Sequence, residues 1–178
     1  MIRQLALNPR PVALTDIAKR AVDVLRPRFD SEGVTLTLNS PAAGPIVAAD
    51  ADRLVEALMN LLDNALRHTP RGRKVTVAVD AIRSTPSEPG RALLTVTDTG
   101  EGFEPAQATL PFERFYRSDT ARTNNRTTGG SHGSGIGLTI ARVIVEAHHG
   151  ELYAKSRGPD LGACFTISLP IAPTPIHD

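Results

Sequence analysis

Asp52-Arg53-Leu54-Val55-Glu56-Ala57-Leu58-Met59-Asn60-Leu61-Leu62-Asp63-Asn64-Ala65-Leu66-Arg67-His68 is the stretch on which the reading of this chain turns. At about 100° per residue, Leu54, Leu58, Leu61, Leu62 and Ala65 gather on one side of a helix. Glu56, Asn60, Asn64 and Arg67 gather on the other. The apolar side is ordinary core. The polar side is not, because asparagine is a mediocre helix former that prefers caps and turns. A merely solvated face would carry Glu, Lys or Arg. Two amides one turn apart, with an arginine on the next turn, are placed to meet something polar and charged. The alternative is a helix that tolerates two asparagines, and the rest of the chain weighs against it.

With 178 residues, 40% of them hydrophobic and 22% charged, the chain suits one sizeable domain with a real core. A formal net charge of +1 argues against a nucleic acid or a membrane surface as the main partner. Cys164 is the only cysteine, so there is no disulfide framework and no cysteine metal cluster, which suits a reducing compartment. No apolar run approaches the roughly 18 residues needed to cross a membrane, and no signal peptide opens the chain. The expectation is a soluble cytoplasmic domain, which is compatible with a fragment of something membrane-bound.

Outward from the asparagine helix, the elements follow in order. Asn8-Pro9-Arg10-Pro11 reads as extended and linker-like, since proline disfavours helix in the residue before it. Thr15 or Asp16 is placed to cap a helix running to about Phe29, with Ile17, Ala21, Val24 and Leu25 facing inward. Val34–Leu38 and Ile46–Ala48 are short strands, and Asp50 caps the asparagine helix, which ends near Thr69-Pro70. Lys74–Ile82 alternates as a half-buried strand, Ser84–Gly90 is a turn, and Arg91–Asp98 is the next strand. Residues 103–134 are long, polar and rich in Gly and Asn, the kind of loop that is functional or unordered. A helix from about Gly135 to His148 follows, then a hairpin of Gly150–Lys155 and Ala163–Leu169. His148-His149-Gly150 closes that helix, histidine favouring the dipole and glycine the C-cap.

Two further segments carry chemistry. Leu94, Val96 and Asp98 share one phase of a strand, so Asp98 arrives where an inward-facing residue is due, directly before Thr99-Gly100-Glu101-Gly102. An inward carboxylate needs strong donors, and ionised Asp only accepts. A purine amino group would suit it, with Gly102 leaving room for a flat base. A strand that ends in Asp-Thr-Gly-Glu-Gly because those residues turn well is the competing account. Gly133-Ser134-Gly135-Ile136-Gly137-Leu138 opens the later helix, where glycines let backbone amides approach a phosphate at a helix N-terminus. It is neither a Walker A loop nor a dinucleotide fingerprint.

In combination and order, these segments resemble the catalytic and ATP-binding domain of bacterial two-component sensor histidine kinases, in the superfamily that also holds DNA gyrase B, the Hsp90 chaperones and MutL. Asn60 to Asn64 resembles the N box, Asp98–Gly102 the G1 box, and Phe112-Glu113-Arg114-Phe115-Tyr116-Arg117 the F box. Gly133–Leu138 resembles the G2 box, and Gly162-Ala163-Cys164-Phe165 a G3-like segment that lacks the frequent threonine. The likeness runs from about residue 8 to 170.

The resemblance implies an α/β two-layer sandwich, a mixed sheet of about five strands on three helices, with a long ATP lid. It implies ATP and Mg²⁺ as cofactors, Asn64 as the Mg²⁺ ligand, and Arg67 on phosphate. Asp98 would accept from the adenine amino group, Gly100 and Gly102 would shape the base pocket, and His68, where many relatives have an aromatic residue, would line it. Gly133, Ser134, Gly135, Ile136, Gly137 and Leu138 would hold the triphosphate. Arg117 is the candidate γ-phosphate arginine, with Arg114, Arg122 and Arg126 as alternatives. Hydrolytic relatives carry glutamate where this chain has Asn60, and an amide is no general base at neutral pH, so transfer is expected over hydrolysis.

The family's acceptor histidine is followed by an acidic residue and a proline, and none of His68, His132, His148, His149 or His177 has that context. Residues 1–14 are therefore expected to be a linker from an absent dimerisation and phosphoacceptor domain, 15–171 the catalytic domain, and 172–178 a flexible tail. The implied partners are that helical domain and a response regulator, with no nucleic acid. The isolated domain is expected to be a monomer, and the full-length protein a homodimer in the cell membrane. Two other readings share the boxes: a serine kinase of the anti-sigma type, and a non-catalytic nucleotide-sensing module.

Overall fold

Helix α2 (Ala51–His68) forms where apolar residues recur at helical spacing and where Asp50 caps the first turn, its carboxylate accepting from the Arg53 amide at 3.2 Å. Leu54, Leu58, Leu61, Leu62 and Ala65 are all buried, while Glu56, Asn60 and Asn64 are half-buried and Arg67 is exposed. The two faces fall where the sequence puts them. The structure, a computed structural model, describes residues 5–107 and 136–172. Arg117 with the whole F-box segment, Gly133, Ser134, Gly135, most of the expected lid and the tail beyond residue 172 lie outside the described residues.

Around α2 the order is β1 (Arg10–Ala13), α1 (Leu14–Glu32), β2 (Thr35–Asn39), β3 (Ile46–Ala49), then α2, β4 (Lys74–Ile82) and β5 (Arg91–Asp98). A single 3₁₀ turn (Pro105–Gln107) follows, then α3 (Ile136–Ala147), β6 (Glu151–Ser156) and β7 (Ala163–Pro170). The main sheet runs β2-β4-β5-β7-β6, with β2 parallel to β4 and every other pair antiparallel. Helix α2 lies within the crossover that a parallel pair requires. The expected mixed sheet of five strands with three helices is present.

Register decides which side chains face the helices. Leu38, Val77, Val96, Phe165 and Ala154 form one continuous row across the sheet, packed into the core beneath α1, α2 and α3. Asp98 shares the phase of Val96 and Leu94, and it is 4% exposed. The opposite phase forms a row of Thr37, Thr76, Thr97, Cys164 and Lys155. There the Thr37 hydroxyl donates to Thr76 Oγ1 at 3.1 Å, and the Thr97 hydroxyl to Cys164 Sγ at 3.4 Å.

Several local expectations change. Residues Arg10–Ala13 are extended, yet they pair antiparallel with β3, from Arg10 opposite Ala49 to Ala13 opposite Ile46. The cap of α1 is Ala13, without a side-chain hydrogen bond, rather than Thr15 or Asp16. Thr15 is buried in the first turn beside Gly44, where it has no room to cap. Val24, expected to face inward, is 58% exposed, and the helix continues through Pro27 to Glu32. At the end of α3 the left-handed residue is His149 (φ 58°), not Gly150. His149 N–H donates to Glu146 O and Gly150 N–H to Val145 O, a Schellman closure with histidine at the position glycine usually takes. Gly150 is required instead by space, since a Cβ there would come within 2.6 Å of Leu169 Cδ2.

Candidate functional site

Strand β5 delivers Asp98 to the helix-covered face at the end of the sheet. Its Oδ1 accepts from the Gly100 amide at 2.9 Å and the Ala163 amide at 3.2 Å. Among the described residues no donor reaches Oδ2, so one oxygen of a buried carboxylate is left for a ligand. Burial pushes the Asp98 carboxyl above its ordinary value of 3.8, against the pull of the two amides. Nearby His68 pulls it down, and Glu101 pushes it up.

The turn after Asp98 is clamped to the end of α2. Glu101 N–H donates to the His68 carbonyl at 3.0 Å, and Glu101 Oε2 lies 3.1 Å from His68 Nδ1. A Cβ on Gly100 would collide with that same His68 carbonyl. Gly102 adopts φ +62°, and a Cβ there would collide with the Gly158 carbonyl and lie 2.8 Å from Ser156 Oγ. Both glycines therefore have a packing reason to be glycine. The turn between β6 and β7 closes over them, with Asp160 N–H donating to Glu101 O at 2.6 Å and Gly162 N–H to Gly100 O at 3.1 Å. Phe103 seals the turn against the core, edge-on to Phe165 with ring centroids 6.5 Å apart.

The second half of the site lies between α2 and α3. Asn60 and Asn64 are half-buried, and neither amide bonds a described residue. Gly137, in the first turn of α3, sits so close that a Cβ there would lie 3.4 Å from Asn60 Oδ1. The start of α3, with its partial positive charge, is thus laid beside the asparagine stripe. Ile136 is half-buried, whereas Leu138 is buried in the core, so Leu138 meets any ligand only through its backbone. Arg67 is exposed, with no described partner.

The structure thus brings together His68, Asp98, Gly100 and Gly102 at one end, and Asn60 and Gly137 at the other. Sequence reasoning missed three members. The Ala163 amide was within a segment singled out for other reasons. Glu101 carried no signal beyond its place among the turn residues. Ser156, whose hydroxyl donates to the Gly162 carbonyl at 2.7 Å and accepts from the Phe103 amide at 3.1 Å, carried none.

A model of the family described as "Histidine kinase-, DNA gyrase B-, and HSP90-like ATPase" matches residues 49–173. The chain is 36% identical over 167 residues to the signal transduction histidine-protein kinase BaeS of Escherichia coli, covering 94% of this chain and 33% of BaeS. It is 29% identical over 168 residues to the adaptive-response sensory kinase SasA of Synechocystis, covering 94% of this chain and 40% of SasA. The chain therefore spans well under half the length of these relatives. Among solved structures, the mycobacterial sensor histidine kinase MprB superposes with a TM-score of 0.74 at 30% identity, covering 94% of this chain and 100% of that one. Full-length ShkA in complex with AMPPNP gives 0.79 at 25% identity, over 97% of this chain and 33% of that one.

Proposed function

We propose that this chain, which belongs to the histidine kinase-, DNA gyrase B- and HSP90-like ATPase family, is the kinase domain of a sensor histidine kinase. It binds ATP with Mg²⁺ and passes the γ-phosphoryl group to a histidine on an adjacent helical dimerisation domain, for relay to a response regulator. The observation that carries the reading is Asp98, a buried carboxylate held by two backbone amides through one oxygen and open at the other. That is an acceptor built for an exocyclic amino group.

The residues present fit a magnesium ion. Asn60 and Asn64 offer amide oxygens that no described residue engages, and a hard cation that keeps several waters needs only one such ligand beside phosphate oxygens. Asn64 is the proposed ligand, and the ion when bound neutralises phosphate charge. Asn60 borders the reacting end without acting as a base. Arg67 approaches phosphate from the next turn. Arg117 and the amides of Gly133, Ser134 and Gly135 complete the triphosphate site, alongside Ile136 and Gly137. The acceptor domain would enter through residues 1–14, and the full-length protein would be a membrane-bound homodimer. No helix among the described residues is long and apolar enough to cross a membrane.

Calorimetric titration tests the binding step. ATP with Mg²⁺ is expected to bind and GTP to bind at least about tenfold more weakly, because guanine presents an acceptor where Asp98 needs a donor. Equal affinities for the two nucleotides sink the assignment of Asp98 to the base.

A further inference from the structure

We propose that Glu101 is a positioning residue that fixes the tautomer and ring orientation of His68, giving the base pocket a second acceptor beside Asp98. The proposal rests on the nucleotide-site reading above and deepens it. Two bonds join the same two residues: Glu101 N–H to the His68 carbonyl at 3.0 Å, and His68 Nδ1 to Glu101 Oε2 at 3.1 Å. The first sets the distance between the end of α2 and the turn after β5. The second has a chemical consequence, because a carboxylate only accepts. The imidazole proton must then sit on Nδ1, and in the neutral ring Nε2 is left as an acceptor on the far side from Glu101.

The surroundings agree with a ligand-facing ring. The His68 side chain is 37% exposed, although its backbone is held in a closed turn. Both members of the pair lie close enough to act on Asp98, His68 favouring its charge only when the ring is protonated and Glu101 opposing it, so the three groups share one electrostatic site. Other charges border this site. Arg73 donates to the Thr99 carbonyl at 2.9 Å, Arg67 precedes His68 on α2, and Asp160 reaches Glu101 through its backbone amide. Asp98 Oδ2 and His68 Nε2 then make two acceptors, which favour a purine with an amino group at C6 over one with a carbonyl at C6. A histidine without the carboxylate would be free to take the other tautomer and present a donor.

Two measurements on the same set of variants test this. In ¹⁵N-correlated NMR at alkaline pH, His68 is expected as the Nδ1–H tautomer in the unaltered chain and in Glu101→Gln, whose amide oxygen can still accept. It is expected to shift toward Nε2–H in Glu101→Ala. In calorimetry, Glu101→Ala and His68→Ala are each expected to lower the ATP-over-GTP preference about three- to tenfold. Glu101→Gln should keep it, and the double variant should lose no more than either single one. An unchanged tautomer in Glu101→Ala, additive losses, or equal weakening of ATP and GTP overturns the proposal. Asp98→Asn runs in parallel to separate the failures. If it weakens ATP while the Glu101 variants do not, the positioning role alone is wrong. If neither it nor the unaltered chain shows specific binding, the nucleotide reading falls and takes this proposal with it.

Discussion

Asp98 works against the fold that holds it. A carboxylate 4% exposed is poorly solvated in its charged form, which is why burial raises its pKa despite two amide bonds. A raised carboxyl pKa means that the folded chain binds a proton more tightly than the unfolded one. Stability without nucleotide therefore falls as pH rises from about 3.8 through the folded value, and stays lower above it. Asparagine has the same shape, and its oxygen can accept from the Gly100 and Ala163 amides. Asp98→Asn is accordingly expected to raise the melting temperature of the nucleotide-free chain at neutral pH and to leave it unchanged at pH 3. The same variant should weaken ATP about 10- to 100-fold, the loss of a charge-assisted hydrogen bond. Thermal melts across pH, paired with calorimetry, check both halves. A variant that melts lower than its parent at neutral pH contradicts the account.

Between elements, the joint that holds α2 to α3 at the end away from Gly137 is His148. It is buried, its Nε2 accepts from the Asp50 amide at 3.0 Å, and its Nδ1–H donates to the Ile144 carbonyl at 2.7 Å. Asp50 in turn caps α2 and accepts from the Asn8 amide at 3.0 Å, a bond that lowers its carboxyl pKa. His148→Ala is expected to destabilise by about 2–4 kcal/mol, through a cavity and an orphaned buried amide. Urea unfolding measures it, and a loss below about 1 kcal/mol would mean that water replaces the ring. The sequence marks His148 only as a helix ending, because its partner lies 98 residues away. Strands β4 and β5 were legible to the residue, since period-2 alternation is local information. Strand β1 was not, because Arg10–Ala13 becomes a strand only through β3. The same limit separates Asp98, announced by its phase in β5, from Glu101 and Ser156, whose roles come from the turn that folds back over them.

At the scale of the molecule, the proposed site joins the Asp98 carboxylate at the end of the sheet to an amide stripe on α2, with α3 laid beside the stripe. The Asn60 amide, where hydrolytic relatives carry glutamate, cannot activate water. The isolated chain is expected to bind ATP yet release phosphate at background rate in a coupled assay. Supplying the cognate helical dimerisation domain in trans should produce labelled phosphohistidine, and Asn64→Ala should abolish the label, since transfer needs positioning and charge neutralisation together. Fast turnover by the isolated chain, undiminished in Asn60→Ala, would place it on a hydrolytic branch of the family. The outer row of the sheet has a practical bearing on all of these experiments. Cys164 is the only thiol in the chain, half-buried on that row and adjacent in sequence to Ala163, whose amide grips Asp98. The molecule therefore carries its own unique attachment point for a fluorophore, one residue from the amide that holds Asp98 and on the outer row of the sheet, close enough for a label to report occupancy of the proposed site.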